Sequence, residues 1–292
     1  MRKGIRITLI TGGCLMVLGL VIGIIGASMN DFRFDVIQST EYVRQESAFD
    51  QKLEEIHIRT ITDDINVKKS EDGKTRVTYY NSKDERMVYD LDVIKNKDAQ
   101  ILRIEQKDER KWYEHFFVFN AEQEEAITIY LPEESYRSFS LQSTSGEVDC
   151  QTKLQITGDM KAFSISGDIR LTDNSCGGTV DVNCTSGDIQ IDRMQSKVLN
   201  ASSVSGDITL SSVHTQENVS LKTVSGDVQL NTVDSSRIDA KSTSGSIQGT
   251  LKSKGVYHCH TISGNITVPD NDRESGREYT FETVSGDIHI SQ

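Results

Sequence analysis

A Ser-Gly-Asp triplet flanked by β-branched residues returns through the second half of the chain at a nearly fixed interval. It appears as "TSGEV" at 144, "ISGDI" at 165, "TSGDI" at 185, "VSGDI" at 204, "VSGDV" at 224, "TSGSI" at 243, "ISGNI" at 262 and "VSGDI" at 284. The central glycines are Gly146, Gly167, Gly187, Gly206, Gly226, Gly245, Gly264 and Gly286, separated by 21, 20, 19, 20, 19, 19 and 22 residues. A period near twenty marks an architecture in which each unit stacks on its neighbours.

Aligning the copies on the glycine exposes the columns. Two residues after it stand Val148, Ile169, Ile189, Ile208, Val228, Ile247, Ile266 and Ile288. Four after it stand Cys150, Leu171, Ile191, Leu210, Leu230, Gly249, Val268 and Ile290. Two before it stand Thr144, Ile165, Thr185, Val204, Val224, Thr243, Ile262 and Val284. Shared parity predicts that all three columns face the same side of a strand, the buried one. Asp168, Asp188, Asp207, Asp227 and Asp287 follow their glycines directly and fall on the opposite parity. A second apolar column pair lies seven and five residues before the glycine, from Phe139 and Leu141 to Tyr279 and Phe281. Parity flips between the two strands, so a bend or bulge is expected just before the serine.

Two short strands and two bends in twenty residues make one coil of a β-solenoid. About eight coils stacked at ~4.8 Å give a rod of roughly 35–40 Å, whose apolar columns become continuous ridges inside. The predicted fold is therefore all-β, with the solenoid over 138–292. Strand patterns such as "IHIRTITDDINVKK" fill 56–137, read as an N-terminal β cap. Within it, Thr62-Asp63-Asp64-Ile65 mimics the repeat without its glycine and is read as a degenerate first coil. Residues 30–55 read as a stalk, helical in part. The chain's end, "SGDIHISQ", stops mid-coil and leaves a docking edge or an unprotected terminus.

The glycine column implies an inward position with no room for a side chain, or a bend with unusual torsions. The aspartate column should repel itself at ladder spacing. Either each carboxylate accepts backbone N–H bonds, or cations lie between coils. The nine-residue GGxGxD repeat of known calcium solenoids is absent from the sequence.

"ITLITGGCLMVLGLVIGIIGASM" runs from Ile7 to Met29 without a charge, long enough to cross a hydrocarbon core of ~30 Å. The basic "MRKGIR" before it places residues 1–6 in the cytoplasm and the rest outside, giving a single-pass signal-anchor. Cleavage at Gly26-Ala27-Ser28 is the alternative. The net charge is −12, with −8 over 30–137 and −7 over 138–292. So acidic a surface repels phosphate backbones and excludes nucleic acid as a partner. Cys150, Cys176, Cys184 and Cys259 show no CxxC spacing and read as small hydrophobes before disulfides.

No signature of hydrolase, metalloprotease, nucleotide or dinucleotide chemistry is present. Eight copies at structural spacing argue against Ser and Asp as a catalytic pair. His258 and His260 share a strand face and read as a surface pair, since no third metal ligand is evident. Asp270, Asp272 and Glu274 are the only carboxylate cluster that interrupts the repeat. Trp112 lies in "RKWYEHFFVF", a segment read as core of the cap. No catalytic, cofactor-binding or metal-binding residue is assigned, and no cofactor is expected.

The "DDI" coil, the "SFSLQSTSGEV" segment and the SGD ladder resemble the putative-adhesin family of bacterial β-strand repeat proteins, a domain of unknown function. With the apolar N-terminal segment, the chain is similar to LiaG-type envelope-stress proteins of Gram-positive bacteria. The resemblance implies a non-enzymatic β-solenoid of the cell envelope that binds or scaffolds, with a cell-wall component or neighbouring membrane protein as partner. A surface adhesin is one alternative, and a glycan-active enzyme on a solenoid is another.

Overall fold

The computed structural model describes residues 41–96, 99–109 and 126–292, and all regular structure in them is β. No helix among the described residues is long and apolar enough to cross a membrane. Ile7–Met29 and the Trp112 segment lie outside the described residues.

The strands form two sheets of 12 and 14 members. The strand after each glycine joins the first sheet, and the strand before it joins the second. Pairing is parallel and in register with the columns: Val148, Ile169, Ile189, Ile208, Val228 and Ile247 stand side by side. So do Phe139, Met160, Val180, Leu199, Val219 and Ile238. These residues are 0 % exposed, because each coil covers the apolar face its neighbour cannot bury alone. Coils also have a third, shorter side that pattern reading takes as turn. Ser135–Tyr136, Leu154–Ile156 and Asn174–Cys176 pair in parallel, and the line continues through Gln195 and His214. Its inward residues include Asn174, Ser196, Thr215 and Ser235, all buried. Thr215 Oγ1 donates to Ser235 Oγ at 2.7 Å, and Asn174 Nδ2 donates to the Thr172 carbonyl at 2.9 Å. The bend before that side is left-handed in four coils, at Asp173, Arg193, Ser212 and Thr232, with φ between 49° and 60°.

Stacking order departs from chain order at both ends. Glu55–Arg59 and Asp64–Lys69 form the degenerate coil, with Ile65 beside Val148. The later strands Ala99–Asp108 and Ala126–Leu131 lie outside it. At the other end, Glu278–Ser285 and Ile288–Ser291 insert between the Gly245 coil and the Gly264 coil. The final "SGDIHIS" is thus internal, and the edge expected there belongs to Val256–Ser263 and Ile266–Thr267 instead. The crossover is made by the longest insertion, 269–277. Asp272 and Glu274 shape its turn: Asp272 Oδ1 accepts the Glu274 N–H and its carbonyl accepts Ser275 Oγ. Arg277 Nη1 fastens the loop to Asp234 at 2.6 Å.

The N-terminal end is closed by antiparallel strands, as a cap requires. Thr75–Ser82 pairs with Ala126–Leu131 and carries Tyr42–Phe49 outside it, while Met87–Asn96 covers Ala99–Asp108. Tyr42–Phe49 is a strand and not the helix expected there. It pairs along its whole length with the ready edge of Thr75–Ser82 and half-buries Tyr42, Ser47 and Phe49, which outweighs local helix propensity.

Asp63 occupies the glycine position of the degenerate coil and is 2 % exposed. Among the described residues, no Ser-Gly-Asp bend stacks against its outer side. Its carboxylate instead accepts Tyr89 Oη at 2.7 Å and Thr62 Oγ1 at 2.9 Å. Burial raises its pKa above the usual aspartate value, against those hydrogen bonds. The folded chain therefore holds this proton more tightly than the unfolded chain. Protonation stabilises the fold fully below the ordinary value of 3.8, and the contribution is lost as pH rises through the raised folded value. The always-neutral Asp63→Asn variant is expected to gain stability over wild type progressively as pH rises across that window. Urea unfolding at a series of pH values measures this, and a pH-independent difference contradicts it.

Candidate functional site

The bend that carries the Ser-Gly-Asp triplet is the most regular surface of the molecule, and three ladders build it. The first is the glycine column. A Cβ on Gly167 would lie 2.2 Å from the Gly146 carbonyl oxygen, and one on Gly206 would lie 2.0 Å from that of Gly187. The contact repeats through the stack, with Gly286 against Gly245 and Gly264 against Gly286. None of the eight has positive φ, so close approach and not torsion demands glycine here.

The second ladder is a hydroxyl column three residues before each glycine. Ser203 Oγ accepts the Gly206 N–H at 3.0 Å and donates to the Gly187 carbonyl at 3.2 Å. Ser164, Thr223, Ser242, Thr283 and Thr261 each donate to a neighbouring coil's glycine carbonyl. Cys184 stands in for a hydroxyl, with its thiol 3.3 Å from the Gly167 carbonyl. All four described repeat cysteines are free thiols. Burial pushes the Cys150 thiol up to about 12 and Cys259 up to about 11, so both stay protonated.

The third ladder resolves the aspartate column. Asp168 Oδ1 accepts the Asp188 N–H at 2.9 Å, Asp188 accepts that of Asp207 at 2.9 Å, and Asp207 that of Asp227 at 2.7 Å. Asp227 accepts from Ser246 and Asp287 from Asn265, both at 2.7 Å. Each carboxylate caps the N–H of the next coil, which offsets the repulsion along the column. Arg170 also bridges Asp168 and Glu147 at 2.9 and 2.6 Å. No group of three or more His, Cys, Asp or Glu side chains arranged to hold a metal occurs among the described residues.

One column faces opposite to its predicted direction. The residues two before the glycine were expected inside, and they point to solvent. Ile165, Val204, Val224 and Val284 are 40–48 % exposed, and Ile262 is 73 % exposed. Thr144, Thr185 and Thr243 continue the line. The parity flip falls inside the bend itself. The hydroxyl column is still inward, the next two residues both point out, and the glycine is inward again. The hydroxyl ladder causes this, because its inward bonds to glycine carbonyls fix the side of the strand on which the following residue lies. The result is an exposed β-branched ridge, one side chain per coil, flanked by serines and extended by Phe163 at 39 % exposure.

The other sequence candidates do not converge on the ridge. His258 and His260 are exposed on the terminal strand. Asp270 is exposed in the crossover loop, where Asp272 and Glu274 serve the turn. An open groove of about 460 Å³ is lined by Gln216, Glu217, Asn218, Ser236, Arg237 and Glu278, and Lys197 pairs with Glu217 at its margin.

A family model described as Toastrack DUF4097 matches residues 53–292. The chain belongs to the Toastrack family. That span covers the degenerate coil and every Ser-Gly-Asp coil. Solved Toastrack-like structures share the fold at low identity. A crystal structure of a putative adhesin from Bacteroides fragilis is 16 % identical with a TM-score of 0.53, covering 86 % of this chain and 97 % of that one. A putative adhesin from Parabacteroides distasonis is 12 % identical, TM-score 0.52, with the same 86 % and 97 % coverage. A putative lipid binding protein from the same species is 14 % identical, TM-score 0.51, again covering 86 % and 97 %. No curated protein matches the chain.

Proposed function

We propose that this Toastrack chain is a membrane-anchored, extracytoplasmic protein of the bacterial cell envelope that binds or scaffolds and does not catalyse. In this reading Ile7–Met29 is an uncleaved single-pass anchor, residues 1–6 are cytoplasmic, and the stack faces the wall of a Gram-positive cell, where it serves the envelope-stress response. One observation carries the binding role: the exposed ridge of Ile165, Val204, Val224, Val284 and Ile262. Apolar side chains presented in a line on a rigid stack mark an interaction surface. The aspartates beside it are already bonded to backbone N–H groups, so the ridge favours an uncharged or apolar ligand surface. The ligand is a wall component or a neighbouring membrane protein. The similar structures are of putative adhesins and a putative lipid binding protein, and both descriptions suit a binding surface.

The full chain in mild detergent is expected to pellet with isolated Gram-positive cell wall equally at low and high salt, because an apolar contact is not screened. Binding that disappears at high salt would make the contact electrostatic and remove the ridge from the account. Failure to pellet, together with failure to cross-link to any membrane protein in intact cells, would overturn the binding role.

A further inference from the structure

The two ends of the stack are finished differently. At the N-terminal end the outermost strands carry charge: Arg44 and Glu46 on Tyr42–Phe49, and Asp90, Asp92 and Lys95 on Met87–Asn96. Charges of this kind blunt an edge against pairing with another chain. At the other end, Val256–Ser263 and Ile266–Thr267 are the last strands of the two sheets. From Val256 to Val268 the sequence has no Asp, Glu, Lys, Arg or Pro, in a chain of net charge −12. The column that is aspartate in most coils becomes Asn265 here. A carboxylate at that position would have no further N–H to cap. Ile266, whose column mates are fully buried, is 45 % exposed, and Ile262 is 73 % exposed.

Among the described residues, the edge of Val256–Ser263 is open over a defined length. Val256 N–H bonds inward to the Arg277 carbonyl at 2.9 Å, and Tyr257 N–H bonds outward to Asn271 Oδ1 at 2.7 Å. Strand alternation then turns the N–H and C=O of Cys259 and Thr261 outward, beyond the reach of the crossover loop. Two strand edges, one from each sheet, end together at this coil. A partner that satisfies both must itself present two edges at the same separation, and the end of a second copy does so.

We infer that two copies of this chain associate end to end through the Gly264 coil, with Val256–Ser263 of each pairing antiparallel about Thr261. Thr261 then exchanges both backbone bonds with its symmetry mate. His260 lies opposite Ile262 of the other copy in a close, non-hydrogen-bonded pair. The uncharged strands Val256–Ser263 and Ile266–Thr267 let two acidic chains meet along this seam without like charges facing one another across it. The contact takes in Ile262, the last side chain of the apolar ridge, but is made by the strand edges, so it does not depend on the ligand proposed for the ridge.

The test is the protein mass of the full chain in mild detergent, measured by light scattering corrected for bound detergent. Wild type is expected to show twice the chain mass. Ile262→Glu, a change at an exposed side chain, is expected to give the single-chain mass. Mixing Ile262→Glu with His260→Lys protein is expected to restore the doubled mass, which only the Thr261-centred register predicts. Val204→Glu on the ridge is expected to leave the mass doubled. A single-chain mass for wild type overturns the inference, and so does a doubled mass that survives Ile262→Glu. Failure of the mixture to re-pair overturns the register.

Discussion

Gly206→Ala is expected to be among the most damaging single-methyl additions the chain can suffer. The new Cβ would lie 2.0 Å from the Gly187 carbonyl oxygen and 2.5 Å from its carbon, both backbone atoms held in a parallel ladder. No flexible side chain is available to move aside, so coils must separate or the bend must rotate. Either response also strains Ser203 Oγ, which bonds both glycines. The cost is put at on the order of 3 kcal/mol or more, at the upper end for overpacking. An alanine at Gly73, where a Cβ meets nothing within 4 Å but φ is +73°, is the informative contrast. That change meets only torsional strain, about 1 kcal/mol. Urea unfolding of the three proteins measures both, and equal costs would mean that close packing of the bend is not what requires glycine.

Phe281→Ala is expected to cost about 3–5 kcal/mol, as for truncation of a fully buried aromatic. Phe281 is 0 % exposed because its coil lies between two others, with Ala240 beside it on one side and Cys259 on the other. This result depends on the inverted stacking order. Were the last coil outermost, Phe281 would have a neighbour on one side only and its loss would be far cheaper. Cys259, on the coil that is outermost, is half-buried, and Cys259→Ala is expected to cost less than about 1 kcal/mol. A small effect at Phe281 with a large one at Cys259 would reverse the order of the two coils.

The sequence makes the stacking columns legible because each is a single chemical type repeated at one interval. Val148, Ile169, Ile189 and their successors required only alternation and period. Gly146 to Gly286 were legible as a constraint, but that the obstruction is a neighbouring coil's carbonyl follows only from the stacking. Alternation misplaced the ridge, since two successive outward residues inside a bend leave the parity on either side intact. Ile165 and Val204 have the composition of core residues, and only the hydroxyl bonds of Ser164 and Ser203 explain why they face out. The third side was hidden because its inward residues, such as Asn174 and Thr215, are polar. The order of the last two coils was beyond any pattern. Both carry the same columns, and a nine-residue crossover permits either arrangement. Asp63 stood in the sequence as a missing glycine, and its burial against Tyr89 follows from an end effect that no repeat alignment contains.

The claim at the centre of this account is that the ridge is the binding surface. The measurement that tests it most directly is wall co-sedimentation of the full chain carrying Val204→Asp and Val224→Asp, beside wild type. Both side chains are 48 % exposed, so the urea midpoint should be unchanged. Binding should fall by roughly tenfold or more, since each valine taken out of water contributes on the order of 1 kcal/mol. Unaltered binding by the folded double variant would contradict the claim.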